Sequence, residues 1–253
     1  MHTISSWLGH WIAPTSALLL KYNKMSVLVN TDSAIIVPVY NEEQVICSVV
    51  ESLHKQFKYV VCVDDGSKDG SAYEIKKTKA YLIEHPINMG QGAALQTGIE
   101  FASQLPVDYF VTFDADGQHR IEDVQAMLNK IKTDEYDIVL GSRFLGKAIG
   151  MRKSKEIILK LAIRFSNATS GIKLTDTHNG LRVFNRHVAE TMQITMPDMA
   201  HASEILEIIA TQNYRYTEVP VTIEYTDYSR AKGQTLINAV NIGFDTLLRK
   251  VTK

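Results

Sequence analysis

No stretch of the sequence stays apolar for the ~18 residues that a bilayer-crossing helix needs, although 45% of its 253 residues are hydrophobic. Cysteine is scarce. Cys47 and Cys62 both sit in apolar segments and read as buried thiols in a reducing cytoplasm, not as a disulfide or a metal pair. An excess of one charge is missing too. With 27 Lys and Arg against 28 Asp and Glu, the formal charge of −1 excludes a generally basic nucleic-acid binder, so no nucleic-acid partner is expected. Repeats, low-complexity tracts and linkers are absent, which points to one α/β domain with a substantial core. The first two dozen residues fit no targeting pattern. Positions 7–22 are moderately apolar, but Pro14 interrupts them, no Lys or Arg precedes them and no cleavage site follows. Residues 1–33 are expected to be a poorly ordered extension, with an interfacial anchor as the alternative for 1–24.

From Ala34 onward the pattern alternates strand and helix. The apolar, β-branched runs 34–40 and 59–65 predict buried strands, with a helix over 42–55 between them. Helices over 69–79, 91–103 and 121–132 and strands near 81–85, 109–114 and 137–143 follow. This order implies parallel βαβ units in a mostly parallel, doubly wound sheet flanked by helices. Beyond Arg143 the rhythm changes to a basic helical stretch (152–167), a turn at Asn179-Gly180 before a short strand, and a helix over 203–212. The extended segment 215–226 contains Pro220, which demotes it to an edge or bent strand. A final amphipathic helix is expected over 236–253, its stripe including Leu236, Val240, Phe244, Leu247 and Val251.

In such sheets ligands gather outside the carboxyl ends of the strands, and the polar clusters fall there. Tyr40-Asn41-Glu42 closes one strand and Asp64-Asp65-Gly66-Ser67 the next. The run YFVTFDADGQH (109–119) puts Asp114 and Asp116 at i and i+2, on one face if the strand persists. Two hard oxygen ligands suit Mg²⁺ or Mn²⁺ holding a substrate's phosphates; a polar turn at Asp-Gly is the alternative. Asn88, Gly90 and Gly92 open a helix, where free N–H groups favour anions.

Seven ordered pieces, IIVPVYNEE (35–43), VDDGSKDGS (63–71), HPINMGQGAALQTG (85–98), TFDADGQH (112–119), GSRF (141–144), DTHNGLR (176–182) and EVPVTIEYTDYSRAKGQT (218–235), resemble glycosyltransferase family 2. The similarity lies with the branch of dolichol-phosphate mannose synthase and polyprenyl-phosphate glycosyltransferases and spans nearly all of 34–235, expected to be one domain. The resemblance implies a GT-A nucleotide-sugar-binding fold, a divalent metal and inverting sugar transfer. It places Pro38, Tyr40, Glu42 and Asp65 around base and ribose, Asp65 ahead of Asp64, and gives Asn88, Gly90 and Gly92 the shaping of the donor pocket. Asp114 and Asp116 become metal ligands, Asp116 the more direct, with Gln118 joining them; His119 is either a further contributor or a cap of the next helix.

On the acceptor side, Glu204 is the candidate base for a hydroxyl acceptor, or else a first-turn carboxylate favoured by the helix dipole. A lipid phosphate needs cations instead. Arg143, Arg152 and Arg182 are candidate clamps, Arg152 being equally readable as a solvated helix start. Asp176 and Asn179 shape this side. The Arg-x-x-Gly-x-Ser-Lys signature of the lipid-phosphate enzymes is replaced by Ser229-Arg230-Ala231-Lys232-Gly233-Gln234, which shifts the basic residues to Arg230 and Lys232. The expected partners are a nucleotide sugar and polyprenyl phosphate or a lipid-linked saccharide. A membrane surface or membrane protein is a further candidate, through the C-terminal stripe; packing of that stripe on the domain's own core is the alternative. The location implied is cytoplasmic, extending to the inner face of the cytoplasmic membrane. A glycan-hydroxyl acceptor and a non-catalytic nucleotide-sugar-binding subunit are the competing functions.

Overall fold

The computed structural model describes residues 29–232 apart from 197 and 199, and of residues 230–232 only the backbone. Residues 1–28 and the helix expected over 236–253 lie outside the described residues. A seven-stranded sheet in the order β3-β2-β1-β4-β6-β5-β7 organises them. Its strands are β1 (Asn30–Val39), β2 (Phe57–Asp64), β3 (Tyr81–Glu84), β4 (Tyr109–Thr112), β5 (Ile138–Ile149), β6 (Arg182–Asn185) and β7 (Tyr216–Glu224). The helices are α1 (Ile46–His54), α2 (Ser71–Lys76), α3 (Gln91–Ala102), α4 (Ile121–Thr133), α5 (Lys153–Ser170), α6 (Arg186–Thr191), α7 (His201–Thr211) and α8 (Asp227–Lys232).

The strand period of two divides the core between the faces. Ile35, Val37 and Val39 of β1 pack with Ile46, Val50 and Leu53 of α1 and with Val124, Met127 and Leu128 of α4. Ala34 and Ile36 face the other way, toward Leu95 and Ile99 of α3 and Ile205, Leu206 and Ile209 of α7. A central strand covered by helices on both sides needs no polar alternation, which is why 34–39 reads as a continuous apolar run. α3 lies so close to β1 that a Cβ on Gly98 would collide with Ile36 Cγ2.

The sheet is mixed rather than uniformly parallel. β1 pairs in parallel with β2 and β4, and β5 with β7, whereas β6 runs antiparallel to β4 and β5. This reversal matters for function. Thr112, the last residue of β4, pairs with Arg182, the first of β6. The loop entering β6 is thereby brought to the same edge as the loops leaving β1, β2 and β4. β7 is an edge strand, as Pro220 requires. β5 runs six residues past the expected Arg143, because its distal half pairs with β7 after an irregularity between Ser142 and Lys147.

Candidate active site

Two loops leaving β1 and β2 brace each other. Asn41 N–H donates to Ser67 Oγ at 2.9 Å, Lys68 N–H to Asn41 Oδ1 at 2.8 Å, and Glu42 N–H to Ser71 Oγ at 2.7 Å. Beside them lies a cleft of about 530 Å³, lined among others by Tyr40, Asp64, His85, Ile87 and Asn88. Tyr40 is well exposed there, which suits stacking on a planar base.

Asp64, itself buried and accepting from Ser67 N–H at 3.3 Å, lines this cleft. Asp65 is buried and engaged from within. Its Oδ1 accepts from His85 Nδ1–H and Met89 N–H, both at 2.8 Å, and its Oδ2 from Gly90 N–H at 2.7 Å. Gly90 has φ of +92°, a backbone region that disfavours any side chain. Asp65 thus fixes the 85–90 loop that carries Asn88 into the cleft. Glu42 accepts a 2.6 Å hydrogen bond from Tyr228 Oη on α8. Pro38 stays inside β1, half-buried, and Gly92 is buried in the first turn of α3.

Strand β4 stops at Thr112, so the D-x-D pair stands on the loop beyond it. Asp114 is held from several sides. His119 Nε2–H donates to its Oδ2 at 2.9 Å and Gln91 Nε2–H to its Oδ1 at 3.3 Å. His119 therefore supports a carboxylate, and α4 has no side-chain cap. Burial raises the Asp114 carboxyl, but the His119 hydrogen bond and charge and the Arg182 guanidinium outweigh it and hold it below the ordinary aspartate range. Asp116 goes the other way. Burial and the neighbouring Asp114 charge push it up to about 6, while its Oδ1 accepts from Gln118 N–H at 3.1 Å. Adjacent carboxylates whose charges oppose each other fit a divalent cation. Among the described residues no three His, Cys, Asp or Glu side chains form a closed cage. Asp114, Asp116 and the Gln118 amide would hold such an ion.

Gly180, expected only as part of a turn, lies against the Asp114 carboxylate. Its carbonyl accepts from Thr112 Oγ1 at 2.6 Å. A Cβ there would lie 2.5 Å from Asp114 Oδ1 and 2.6 Å from Cγ. Next to it Arg182 is buried, 3% exposed, and its Nη1 has no hydrogen-bond partner. Burial lowers this guanidinium, while Asp114 and Asp176 pull the other way. Asn179 Nδ2 is likewise buried without a partner, its Oδ1 accepting from Leu181 N–H at 3.0 Å. His201, at the start of α7, completes the surroundings. Its Nδ1–H donates to the Asp198 carbonyl at 2.7 Å, and burial with the nearby Arg182 charge drops its pKa to about 4, so it is neutral at pH 7.

The remaining expected acceptor residues are placed differently. Arg143 is not a free clamp: Nε donates to Asp176 at 2.6 Å, Nη1 to Tyr225 Oη at 2.8 Å and Nη2 to the His178 carbonyl at 3.0 Å. Asp176 is thereby occupied as well. Arg152 is exposed as the N-cap of α5, and Lys155, three residues on, is the α5 cation that feels Asp116. Burial and Arg143 lower it, Asp116 raises it, and its Nζ stands 4.5 Å from the Tyr225 ring. Glu204 accepts from the backbone N–H groups of Thr195 and Met196, at 3.0 and 2.8 Å through Oε2. That anchors the loop before α7 instead of leaving a free base. The side chains of Arg230 and Lys232 lie outside the described part of α8.

Comparison with known proteins matches residues 34–192 to a family model described as Glycosyl transferase family 2. The chain is 30% identical over 242 residues to an uncharacterized protein of Methanocaldococcus jannaschii, covering 92% of this chain and 99% of that one. It is 31% identical over 242 residues to a UDP-N-acetylglucosamine–dolichyl-phosphate N-acetylglucosaminyltransferase of Methanococcus voltae, covering 87% of this chain and 96% of the relative. Among solved structures, glucosyl-3-phosphoglycerate synthase of Mycobacterium tuberculosis, crystallised with Mn²⁺ and UDP-glucose, superposes with a TM-score of 0.61. The identity is 15%, over 86% of this chain and 77% of the other, and the shared fold is GT-A.

Proposed function

The chain belongs to glycosyl transferase family 2, and we propose that it moves a sugar from a nucleoside-diphosphate sugar to polyprenyl phosphate, inverting the anomeric carbon. It is a glycosyltransferase; the donor and acceptor classes are the proposal. The observation that carries it is Arg182, a buried guanidinium whose Nη1 has no partner beside the Asp114–Asp116 pair. A buried N–H donor without a partner is costly and calls for an acceptor oxygen, which a phosphate supplies. The polyprenyl-phosphate class is favoured by the name of the Methanococcus voltae relative.

Chemistry at the acceptor side agrees with an acceptor that arrives ionised. A hydroxyl nucleophile needs a base within hydrogen-bond reach. Asp176 is bound to Arg143 and Glu204 to the loop before α7. A phosphate needs cations instead, and Arg182 and Lys155 stand near the carboxylate pair. The acceptor phosphate oxygen forms the new bond to the anomeric carbon as the bond from that carbon to the donor diphosphate breaks. The nucleoside diphosphate leaves with the electron pair. Asp114 and Asp116 would hold a Mg²⁺ or Mn²⁺ ion, which when bound would supply Lewis-acid neutralisation of the leaving group's charge. Tyr40, Asp64 and Asn88 hold the base and ribose in the cleft, Asp65 holding its loop, and Arg182 orients phosphate oxygens.

The test is nucleoside-diphosphate release from a panel of nucleotide sugars, with and without a short-chain polyprenyl phosphate, in Mn²⁺ or EDTA. Release that needs lipid phosphate, stops in EDTA and falls ~100-fold in Arg182→Gln supports the reading. Release driven by a saccharide acceptor and indifferent to lipid phosphate refutes it.

A further inference from the structure

The loop entering β6 carries a histidine to which the proposed reaction gives no role. His178 is held by its main chain and by one edge of its ring. Its N–H donates to Asp176 Oδ1 at 3.3 Å and its carbonyl accepts from Arg143 Nη2 at 3.0 Å, which fixes the residue to the Arg143–Asp176 pair. In the ring, Nδ1 lies 2.8 Å from Thr177 Oγ1. Thr177 is buried, 3% exposed, and among the described residues its hydroxyl has no other partner. Were Nδ1 to carry the proton and donate to that oxygen, the hydroxyl proton would be left inside the fold without an acceptor, which is costly. The arrangement that satisfies both groups has Thr177 O–H donating to Nδ1 and the ring proton on Nε2. Burial lowers the imidazole pKa, Asp176 opposes this, and Arg143 and Arg182 add to it, so the ring is neutral at pH 7. Nε2 makes no hydrogen bond among the described residues and, in a half-buried side chain, is not enclosed.

We propose that His178 is a further acceptor-binding residue, its Nε2–H donating to an oxygen of the acceptor phosphate beside Arg182. Two more donors on the same loop lack partners, Asn179 Nδ2 and Arg182 Nη1, both buried. Two residues after His178, Gly180 lies against Asp114, so the loop brings these donors to the carboxylate pair. A neutral donor suits the place, because it meets a phosphate oxygen without setting a second unpaired cation next to Arg182. It also discriminates between acceptors. An imidazole locked with its proton outward has no lone pair to take a proton from a hydroxyl, so it favours a nucleophile that arrives already ionised. The inference rests on the reading of the acceptor as a lipid phosphate.

Steady-state turnover of farnesyl phosphate by the full chain, with the nucleotide sugar that supports release, tests the assignment. His178→Ala is expected to raise KM for farnesyl phosphate ~10-fold or more, as the loss of a hydrogen bond to a charged group does. Its kcat and its KM for the donor should stay within about threefold of wild type. His178→Gln puts an amide N–H where Nε2–H stands and should bring the farnesyl phosphate KM back to within about threefold. A histidine that only supports the loop would shift both KM values and the melting temperature together, and glutamine would not rescue it. Nitrogen-15 NMR of the histidine rings in the free protein is the second readout, with His178 expected to carry its proton on Nε2 and none on Nδ1. An unchanged KM in His178→Ala, equal losses in the alanine and glutamine variants, or a proton on Nδ1 overturns the assignment. So does a kcat that falls ~100-fold in His178→Gln with a saccharide acceptor, which would make the imidazole a general base. Wild-type turnover of farnesyl phosphate with an unaffected His178→Ala removes only this inference; a wild type that ignores farnesyl phosphate removes the acceptor reading and this inference with it.

Discussion

Replacing Gly180 by alanine adds one methyl group at the most crowded point of the site. The new Cβ would fall 2.5 Å from Asp114 Oδ1 and 2.6 Å from Cγ, roughly 1 Å inside ordinary contact. The peptide cannot retreat freely, since its carbonyl is tied to Thr112 Oγ1 at 2.6 Å and Arg182 follows two residues on, paired with Thr112. The carboxylate has to give way. Doing so stretches the 2.9 Å bond to His119 and the 3.3 Å bond to Gln91 that set its direction. A shift of about 1 Å in a reacting group costs on the order of 100-fold in rate, and loss of supporting contacts weakens a metal site ~10- to 100-fold. Gly180→Ala is thus expected to cut kcat/KM for nucleoside-diphosphate release ~100-fold and to move the Mn²⁺ titration to higher concentration. Overpacking should cost about 1–3 kcal/mol of stability. Gly171→Ala is the control. It strains a position with φ of +82°, but its Cβ meets only Ala210 Cβ at 3.6 Å, so it should lose stability and keep the metal titration. A Gly180→Ala enzyme within threefold of wild type, with an unmoved titration, would refute the account of Asp114.

Two further outcomes follow from groups around α7. Glu204→Gln should lower stability by ~1–2 kcal/mol, because the weaker neutral acceptor loosens its hold on Thr195 and Met196. Turnover of a lipid phosphate should stay within about threefold in denaturation-matched assays, whereas a loss of ~100-fold or more would mark a general base. His201 gives a pH signature. Its native pKa of about 4 lies below the ordinary histidine value of 6.5, so the unfolded chain binds the proton first as pH falls. No stability is lost to it above pH ~6.5; between there and pH ~4 about 2–3 kcal/mol is lost. Urea titrations at pH 7.5 and 4.5 should show His201→Gln losing that much less than wild type. Equal losses would show that the imidazole is not held neutral.

The parts of the fold visible in the sequence are those where burial is two-sided or where a residue lacks a group. Residues 34–39 and 59–64 read as strands because both faces are covered, and Pro220 marks the edge because it has no N–H to give a neighbour. The direction of β6 had no such mark. Four residues, RVFN, pair equally well either way, and only the register Thr112 to Arg182 fixes it. α6 and α8, six residues each, are too short to show a helical period.

The site was legible where topology alone assembles it and obscure where direction matters. Carboxyl ends of parallel strands converge in any doubly wound sheet, so the three polar clusters could be gathered without coordinates. How each of two adjacent aspartates is engaged depends on how the chain turns after the strand. Here His85, Met89 and Gly90 draw Asp65 inward, and Asp64 lines the cleft. Cations posed the same problem. Arg143, Arg152 and Arg182 look alike in sequence, yet one is bound within the fold by Asp176, one is exposed at a helix start, and one is buried with an unpaired nitrogen. Coulomb energy does not separate them; desolvation does. A guanidinium already stripped of water and short of a partner gains most from an incoming anion, because its dehydration cost was met when the chain folded. That asymmetry singles out Arg182 among the three as the residue whose removal should weaken phosphate binding most.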